Sequence, residues 1–102
     1  MYYHYILMKV IIKKSPKLEK KLVAIFYDDD KKIKTTHFGA KGMSDFTQHA
    51  DPIRKNRYLD RHRHRENWND YMSAGALSRW ILWNKTSLQA SITDYKKKFN
   101  LK

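Results

Sequence analysis

The chain has 102 residues, with 22 lysines and arginines against 10 acidic residues and a formal net charge of +12 at pH 7. Hydrophobic residues make up 41% and aromatic residues 14%, which excludes a disordered basic tail and predicts a single folded domain over residues 1–102. There is no cysteine, which excludes disulfide bonds and cysteine-ligated zinc.

The excess of positive charge predicts an anionic partner, because an unbalanced cationic surface repels itself. Nucleic acid is the leading candidate, ahead of an anionic membrane surface or an acidic protein. The longest uncharged apolar run, residues 2–8, is too short to span a bilayer and lacks the features of a secretory signal. We therefore expect a soluble, intracellular protein that is not secreted and has no membrane partner.

The first part of the chain predicts a three-stranded antiparallel meander over residues 1–39. Residues 2–14 form the first strand, with one face made by Ile6, Met8, Val10 and Ile12. After a lysine-rich loop, residues 21–27 are apolar on both faces, as a central strand would be. The aspartates at 28–30 predict a solvated turn into the third strand, with a metal-binding carboxylate cluster as the less favoured alternative.

Two glycines, Gly39 and Gly42, bracket Lys41 where the chain leaves the sheet. This loop resembles a phosphate-contacting loop only weakly, and its spacing does not match a P-loop. A plain loop is the simpler interpretation.

Residues 51–65 predict a basic helix, with Asp51 as the N-capping residue and Pro52 at the first helical position. Its inward side is predicted from Ile53, Tyr58, Leu59 and His62. Its outer side carries six cations, and these are Arg54, Lys55, Arg57, Arg61, Arg63 and Arg65. Arginine suits phosphate and base edges, so this helix is the most informative functional signal. A solvated basic surface without a partner remains the alternative.

Residues 67–84 hold all three tryptophans and predict the centre of the fold. A helix from Ser73 would place Ala74, Leu77 and Ile81 on one stripe, with the tryptophans as core residues or, less favoured, as a platform for stacked bases. Gly75 within it predicts close approach of another backbone.

The last element predicts a helix that completes a helical hairpin over residues 73–100. It begins at Thr86 or Ser87, and Thr86 with Gln89 has the spacing of a capping box. The inward side is predicted from Leu88, Ile92, Tyr95 and Phe99. The fold class is therefore α+β, a three-stranded N-terminal meander followed by two to three helices packed on it.

The histidines raise the question of a metal-dependent nuclease. On a helix His62 and His64 point apart, whereas Asp60 with His64 and His62 with Glu66 share a face, which supplies two ligands at most. No nucleophile or cofactor fingerprint is recognisable. We predict no catalytic residue, no cofactor and no metal.

The segments KKLVAIFY, KIKTTHFGAKGMSDFT, RKNRYLDRHRHRENWND, AGALSRWILWNK and SITDYKKKF, in this order, resemble a family of small basic proteins encoded by large double-stranded DNA viruses. The resemblance covers about residues 20–100. It implies a viral setting, in the virion or in the host cytoplasm or nucleus during infection, and it carries no established activity.

The leading hypothesis is a non-enzymatic nucleic-acid-binding protein that grips the phosphate backbone with little sequence preference, with double-stranded DNA as the favoured partner and genome compaction or packaging as the role. The six cations of residues 51–65 form the main contact. If the fold brings their loops to the same side, the outer contributors are Lys13, Lys14, Lys17 and Lys41. One alternative is a structural virion component that bridges capsid proteins, or capsid and genome, through other virion proteins. The other is the metal-dependent nuclease.

Overall fold

The computed structural model describes residues 8–102. Its strands are β1 (Met8–Lys14), β2 (Lys20–Asp28) and β3 (Lys31–Ala40). Its helices are α1 (Phe46–His49), α2 (Pro52–His62), α3 (Ala74–Leu77), a π-helical segment (Ser78–Leu82) and α4 (Leu88–Lys98). The part of the predicted first strand before Met8, including Ile6, lies outside the described residues.

The three strands form one antiparallel sheet in the order β1-β2-β3, which confirms the predicted meander. Strand β2 lies in the centre, with Val10 of β1 opposite Phe26 and Phe38 of β3 opposite Leu22. The chain reverses between β2 and β3 at the three aspartates, where Asp29 adopts a left-handed conformation with φ of 55°. The predicted aspartate turn is therefore confirmed.

The core lies between one face of the sheet and the helices. Alternation with period two puts Leu22, Ala24 and Phe26 of the central strand on this face. The core cluster consists of Val10, Leu22, Ala24, Phe26 and Phe38 from the sheet, and of Leu77, Ile81, Leu82, Tyr95 and Leu101 from the rest of the chain. The predicted α+β class, a meander followed by helices packed on it, is confirmed.

The helix predicted from Ser73 is instead a four-residue α-helix followed by the π-helical segment. Ser73 is the N-cap of α3, so the helix starts within one residue of the predicted position. The amide of Trp83 then donates to the carbonyl of Ser78, five residues earlier, at 3.0 Å. Because a π turn takes one residue more than an α turn, Leu82 returns to the side of Leu77, and both are buried in the core.

The tryptophans lie at the margin of the core rather than at its centre. All three are half-buried, and Trp80 and Trp83 pack against the core cluster. The indole of Trp80 donates to the carbonyl of Trp68 at 2.9 Å. Ala74, predicted on the inward stripe, is exposed because it is the first residue of the short helix α3.

Gly75 makes room for the side chain of Glu66. The prediction that another backbone approaches Gly75 is therefore wrong. A Cβ atom at Gly75 would lie 2.9 Å from the carboxyl carbon of Glu66. The Glu66 carboxylate in turn contacts His62 Nδ1 at 2.9 Å and accepts a hydrogen bond from the Trp68 indole at 3.0 Å. Glu66 thereby joins α2 to the segment that holds the tryptophans.

Helix α4 begins after Ser87, which is one of the two predicted starts, but without the predicted capping box. The hydroxyl of Ser87 accepts a hydrogen bond from the helix backbone, so the capping box assigned to Thr86 and Gln89 is wrong. Tyr95 is buried as predicted, whereas Leu88, the first helical residue, is 39% exposed. No helix within residues 8–102 has the length and apolar character needed to cross a membrane.

Candidate functional site

Helix α2 carries most of the predicted contact residues and begins where the sequence indicates. The Asp51 carboxylate accepts hydrogen bonds from the amides of Ile53 and Arg54, and Pro52 is the first helical residue. The helix ends at His62, so it is three residues shorter than predicted.

The buried side of α2 is narrower than predicted. Tyr58 and Leu59 are buried and His62 is half-buried, but Ile53 is 63% exposed. A spacing of five or six residues places Ile53 on a different side of an α-helix from Tyr58 and Leu59. The inward assignment of Ile53 is therefore wrong.

Stacked rings attach α2 to the tryptophan segment. The Tyr58 ring stacks on Trp83 with 4.2 Å between centroids and 5° between planes, and on His62 at 4.1 Å and 23°. Burial raises the pKa of the Tyr58 phenol, and the Glu66 charge raises it further. The phenol is consequently neutral under physiological conditions, and this column of three rings fixes how α2 sits on the fold.

Lys55 is turned inward, unlike the other cations of α2. Its ammonium donates to the carbonyl of Asn84 at 2.7 Å and lies 4.9 Å from the centre of the Phe46 ring. Burial lowers the pKa of Lys55, and the charges of Arg79 and Lys85 lower it further. Lys55 therefore holds the end of the tryptophan segment, and we leave it out of the contact surface predicted from the sequence.

The sixth arginine, Arg79, is likewise part of the fold. Its guanidinium donates to the carbonyl of Trp83 at 2.8 Å and lies 4.2 Å from the centre of the Trp80 ring. Burial is the main cause of a lowered pKa of Arg79. A cation at the end of a helical segment suits the carbonyl groups left without helical partners there.

Arg54, Arg57 and Arg61 share one exposed side of α2. Spacings of three and seven residues place them in a row along the helix. Within residues 8–102, the ion pairs within 4.0 Å are Lys21–Asp45 and His62–Glu66. No carboxylate in this part of the chain therefore neutralises the three guanidinium groups, which are free to meet an external anion.

The three arginines border a cleft with a volume of about 510 Å³, which we call the arginine cleft. Helix α2 supplies one wall, and the end of β3 with the start of α3 supplies the other. Its lining combines the cations Lys20, Arg54, Arg57 and Arg61 with the apolar side chains of Met43, which is exposed, and Trp83, which is half-buried. The accessible lining thus combines positive charge with apolar surface.

Two internal ion pairs fix this region without removing its excess charge. Lys21 Nζ lies 2.5 Å from Oδ2 of the buried Asp45, the N-cap of α1, and 2.9 Å from Gln48 Oε1. The other pair, His62 with Glu66, confirms the same-face pairing predicted from their spacing. The Lys21–Asp45 pair is balanced internally and Glu66 adds one carboxylate, so Lys20 and the three arginines leave the cleft with an excess of positive charge.

A second depression of about 460 Å³ adjoins the first, and we call it the lysine recess. Lys14 at the end of β1 and Lys41 after β3 line it. The two depressions share Lys21, Met43 and Ser44, so they are neighbours on the surface. Two of the predicted outer contributors, Lys14 and Lys41, therefore lie on the same side of the molecule as the arginines.

The remaining predicted cations line neither depression. Period-two alternation turns Lys13 of β1 to the sheet face opposite the helices. Lys17 is exposed in the loop between β1 and β2. Arg63 and Arg65 follow the last residue of α2, and Arg65 Nε donates to the carbonyl of Arg61. The condition attached to the outer lysines is thus met by two of the four.

The sequence-based contact set omitted Lys20 and the His62–Glu66 pair, which also line the cleft. Lys20 shares its period with Leu22 on the core-facing side of β2, so strand alternation could have placed it on the helical side. The spacing of His62 and Glu66 revealed their contact. Their place beside the arginines depends on how α2 packs, which no local pattern encodes.

Within residues 8–102, no group of three or more histidine, cysteine, aspartate or glutamate side chains is arranged to hold a metal ion. His62 meets one carboxylate, that of Glu66, and its neighbour His64 is exposed. The arrangement of polar groups in this region is therefore that of a charged surface cleft.

Family comparison matches slightly more than half of the chain. A model described as a family of unknown function, DUF5754, matches residues 10–62. The chain belongs to this family. The segment matched to DUF5754 begins in β1 and ends with α2, so it includes the three arginines of the cleft and all three lysines of the recess. No curated protein and no solved structure matches the chain.

Proposed function

We propose that this protein binds nucleic acid without catalysing a reaction on it and grips the phosphate backbone with little sequence preference. The observation that carries the proposal is a set of cations that line two neighbouring depressions, the arginine cleft and the lysine recess: Lys14, Lys20, Lys41, Arg54, Arg57 and Arg61. Guanidinium groups form paired, charge-assisted hydrogen bonds with phosphate oxygens, which suits the row on α2.

The form of the surface favours a polymer over a single anion. The two depressions adjoin, so successive phosphates of one chain can meet lysines and arginines from different elements. Contacts to the backbone carry no sequence information, which accounts for the low sequence preference in the proposal. In the viral setting suggested by the sequence resemblance, the role would be genome compaction or packaging.

The test is a binding titration at several salt concentrations, read by fluorescence anisotropy of a labelled DNA duplex. Neutralisation of about six phosphates gives a slope of about −5 for log affinity against log salt. The triple variant Arg54→Gln, Arg57→Gln, Arg61→Gln should reduce this slope to about −3, because three of the contacts are lost.

A control variant with the same loss of charge shows whether the salt slope depends on the arginine cleft or on the net charge of the protein. Lys31, Lys32 and Lys34 are exposed at the start of β3, about 26 Å along the strand from Ala40 by strand geometry. Replacing all three by glutamine removes the same charge and should leave the slope near that of the parent protein. Equal effects of the two triple variants, or a flat salt response of the parent, would contradict the proposal.

A further inference from the structure

The arginine cleft contains more than a surface for phosphates. Its volume of about 510 Å³ falls in the range of pockets that enclose small-molecule ligands, about 300–1,000 Å³. Its accessible apolar lining comes from Met43, which is 67% exposed, and from the half-buried Trp83. Phosphate groups gain nothing from apolar side chains, so contacts to the phosphate backbone alone do not use this part of the lining.

The imidazole ring of His62 has a fixed position at the cleft. His62 lines the cleft, keeps 28% of its side chain exposed and has one face against Tyr58. Within residues 8–102, no second aromatic ring stacks on His62. Its Nδ1 is fixed by Glu66, which is itself held by the Trp68 indole. The column of Trp83, Tyr58 and His62 therefore ends in a fixed ring at the cleft.

We infer that the arginine cleft takes one unpaired nucleotide of a single strand, with its base stacked on His62 over the apolar lining and its phosphates on Arg54, Arg57 and Arg61. Histidine rings and apolar surfaces are recurrent platforms for unpaired bases. The inference rests on the proposed function and narrows its partner from nucleic acid in general to single-stranded or locally unpaired nucleic acid.

A duplex cannot use the cleft in this way. Its bases are paired and stacked inside, so it can present only phosphates and groove edges to the protein. Insertion of a base from a duplex would first require that base to leave the stack, at a cost that a single strand avoids. The cleft therefore favours the single strand, in contrast to the duplex expected from the sequence.

The deciding probe is a DNA strand without bases. Affinities are measured at one salt concentration for a 20-nucleotide single strand and for an abasic strand of equal length, so that charge is matched. The parent protein should bind the normal strand about tenfold more tightly, since one base stacked on a protein ring changes affinity by roughly five- to 150-fold.

Variants that fill the cleft without changing charge locate the base. Ala74 and Ala40 are exposed, and they line the cleft on the side opposite α2. Ala74→Leu should bind the normal and abasic strands within about twofold of each other, with affinity for the abasic strand unchanged, because leucine fills the cleft without supplying a ring for stacking. Ala40→Leu should do the same and replaces Ala74→Leu if that variant does not fold.

The outcomes separate this inference from the proposed function. Equal affinity of the parent for normal and abasic strands, with a steep salt dependence, would overturn the base site and leave phosphate binding standing. Full discrimination retained by both leucine variants would also overturn it, because the base would then lie elsewhere. Absence of salt-dependent binding to either strand and to the duplex would overturn both.

Discussion

Single cations of α2 have different roles although the sequence presents them as one group. Lys55 donates to Asn84 from a partly buried position, whereas Arg57, two residues later, is exposed at the cleft. The difference is set by the helical angle between them, which turns Lys55 toward the tryptophan segment and Arg57 away from it. Residue type alone could not reveal it.

Replacing these two cations separately should give opposite patterns. Lys55→Gln should lower the free energy of unfolding by about 1 kcal/mol through the lost hydrogen bond, with the salt dependence of DNA binding unchanged. Arg57→Gln should leave the free energy of unfolding within about 0.5 kcal/mol and reduce the salt slope by about 1. Urea denaturation and anisotropy titrations measure the two quantities. A reduced slope in Lys55→Gln would contradict the inward placement.

Tyr95 is the residue whose ionisation should limit stability in alkali. Its side chain is fully buried, and its hydroxyl donates to the carbonyl of Tyr71 at 2.5 Å. Burial raises the pKa of Tyr95, and Tyr71 and Asp70 raise it further. In the unfolded chain the phenol titrates near 10, so its contribution is complete below that pH and is lost as pH rises above it.

The Tyr95→Phe variant isolates the contribution of the Tyr95 phenol to stability, because phenylalanine does not titrate. The parent should be more stable than the variant at pH 8, and this advantage should shrink by about 1.4 kcal/mol between pH 8 and pH 11. Other titrating groups, Tyr58 included, are common to both proteins and cancel in the difference. Denaturant unfolding at the two pH values provides the test, and a constant difference would count against the buried, neutral phenol.

At the level of elements, the sequence predicted what local periodicity encodes. Alternation in β2, the aspartate turn, and the Asp51 and Pro52 start of α2 are each specified by a few neighbouring residues. The π-helical segment was not predicted, because the same apolar spacing fits an ordinary helix until the burial of Leu82 is known. The capping box of α4 was wrongly assigned to Thr86 because Thr86 and Ser87 are both capping residues.

The exit of β3 depends on a glycine for two physical reasons. Gly39 has a φ of 81°, and a Cβ atom there would lie 2.7 Å from Leu82 Cδ1. Gly42 has a φ of 92° but would place a Cβ atom in open space. Gly39 therefore permits both the left-handed backbone and the close approach of the sheet to the π-helical segment, whereas Gly42 permits only the former.

Replacing each glycine by alanine should separate the free-energy cost of backbone strain from that of the clash with Leu82. Gly42→Ala should lower the free energy of unfolding by about 1 kcal/mol through backbone strain alone. Gly39→Ala should lower it by about 2–4 kcal/mol, because strain adds to the clash with Leu82. Thermal and urea unfolding of both variants measure the difference. Equal costs would mean that the contact between β3 and Leu82 is looser than described.

For the whole molecule, composition indicated an anionic partner but not where it binds. The formal charge of +12 is a property of the chain, whereas a docking surface requires cations from distant segments to meet. Lys14, Lys41 and Arg57 come from three elements or loops and line two adjoining depressions, while Lys13 faces the other side of the sheet. Which cations line the depressions and which face away depends on how α2 packs on the sheet, so it could not be predicted from a single sequence.

The six arginines provide the most direct test of the central claim, because one side of the molecule is proposed to receive the polyanion. In a ¹⁵N-labelled sample titrated with a DNA oligonucleotide, the side-chain Nε–H signals of Arg54, Arg57 and Arg61 should shift most. The signals of Arg63 and Arg65 should shift less, and that of the partly buried Arg79 should stay in place. Chemical-shift changes concentrated instead on the backbone amides of Lys9, Lys13 and Lys31, away from the two depressions, would contradict the account.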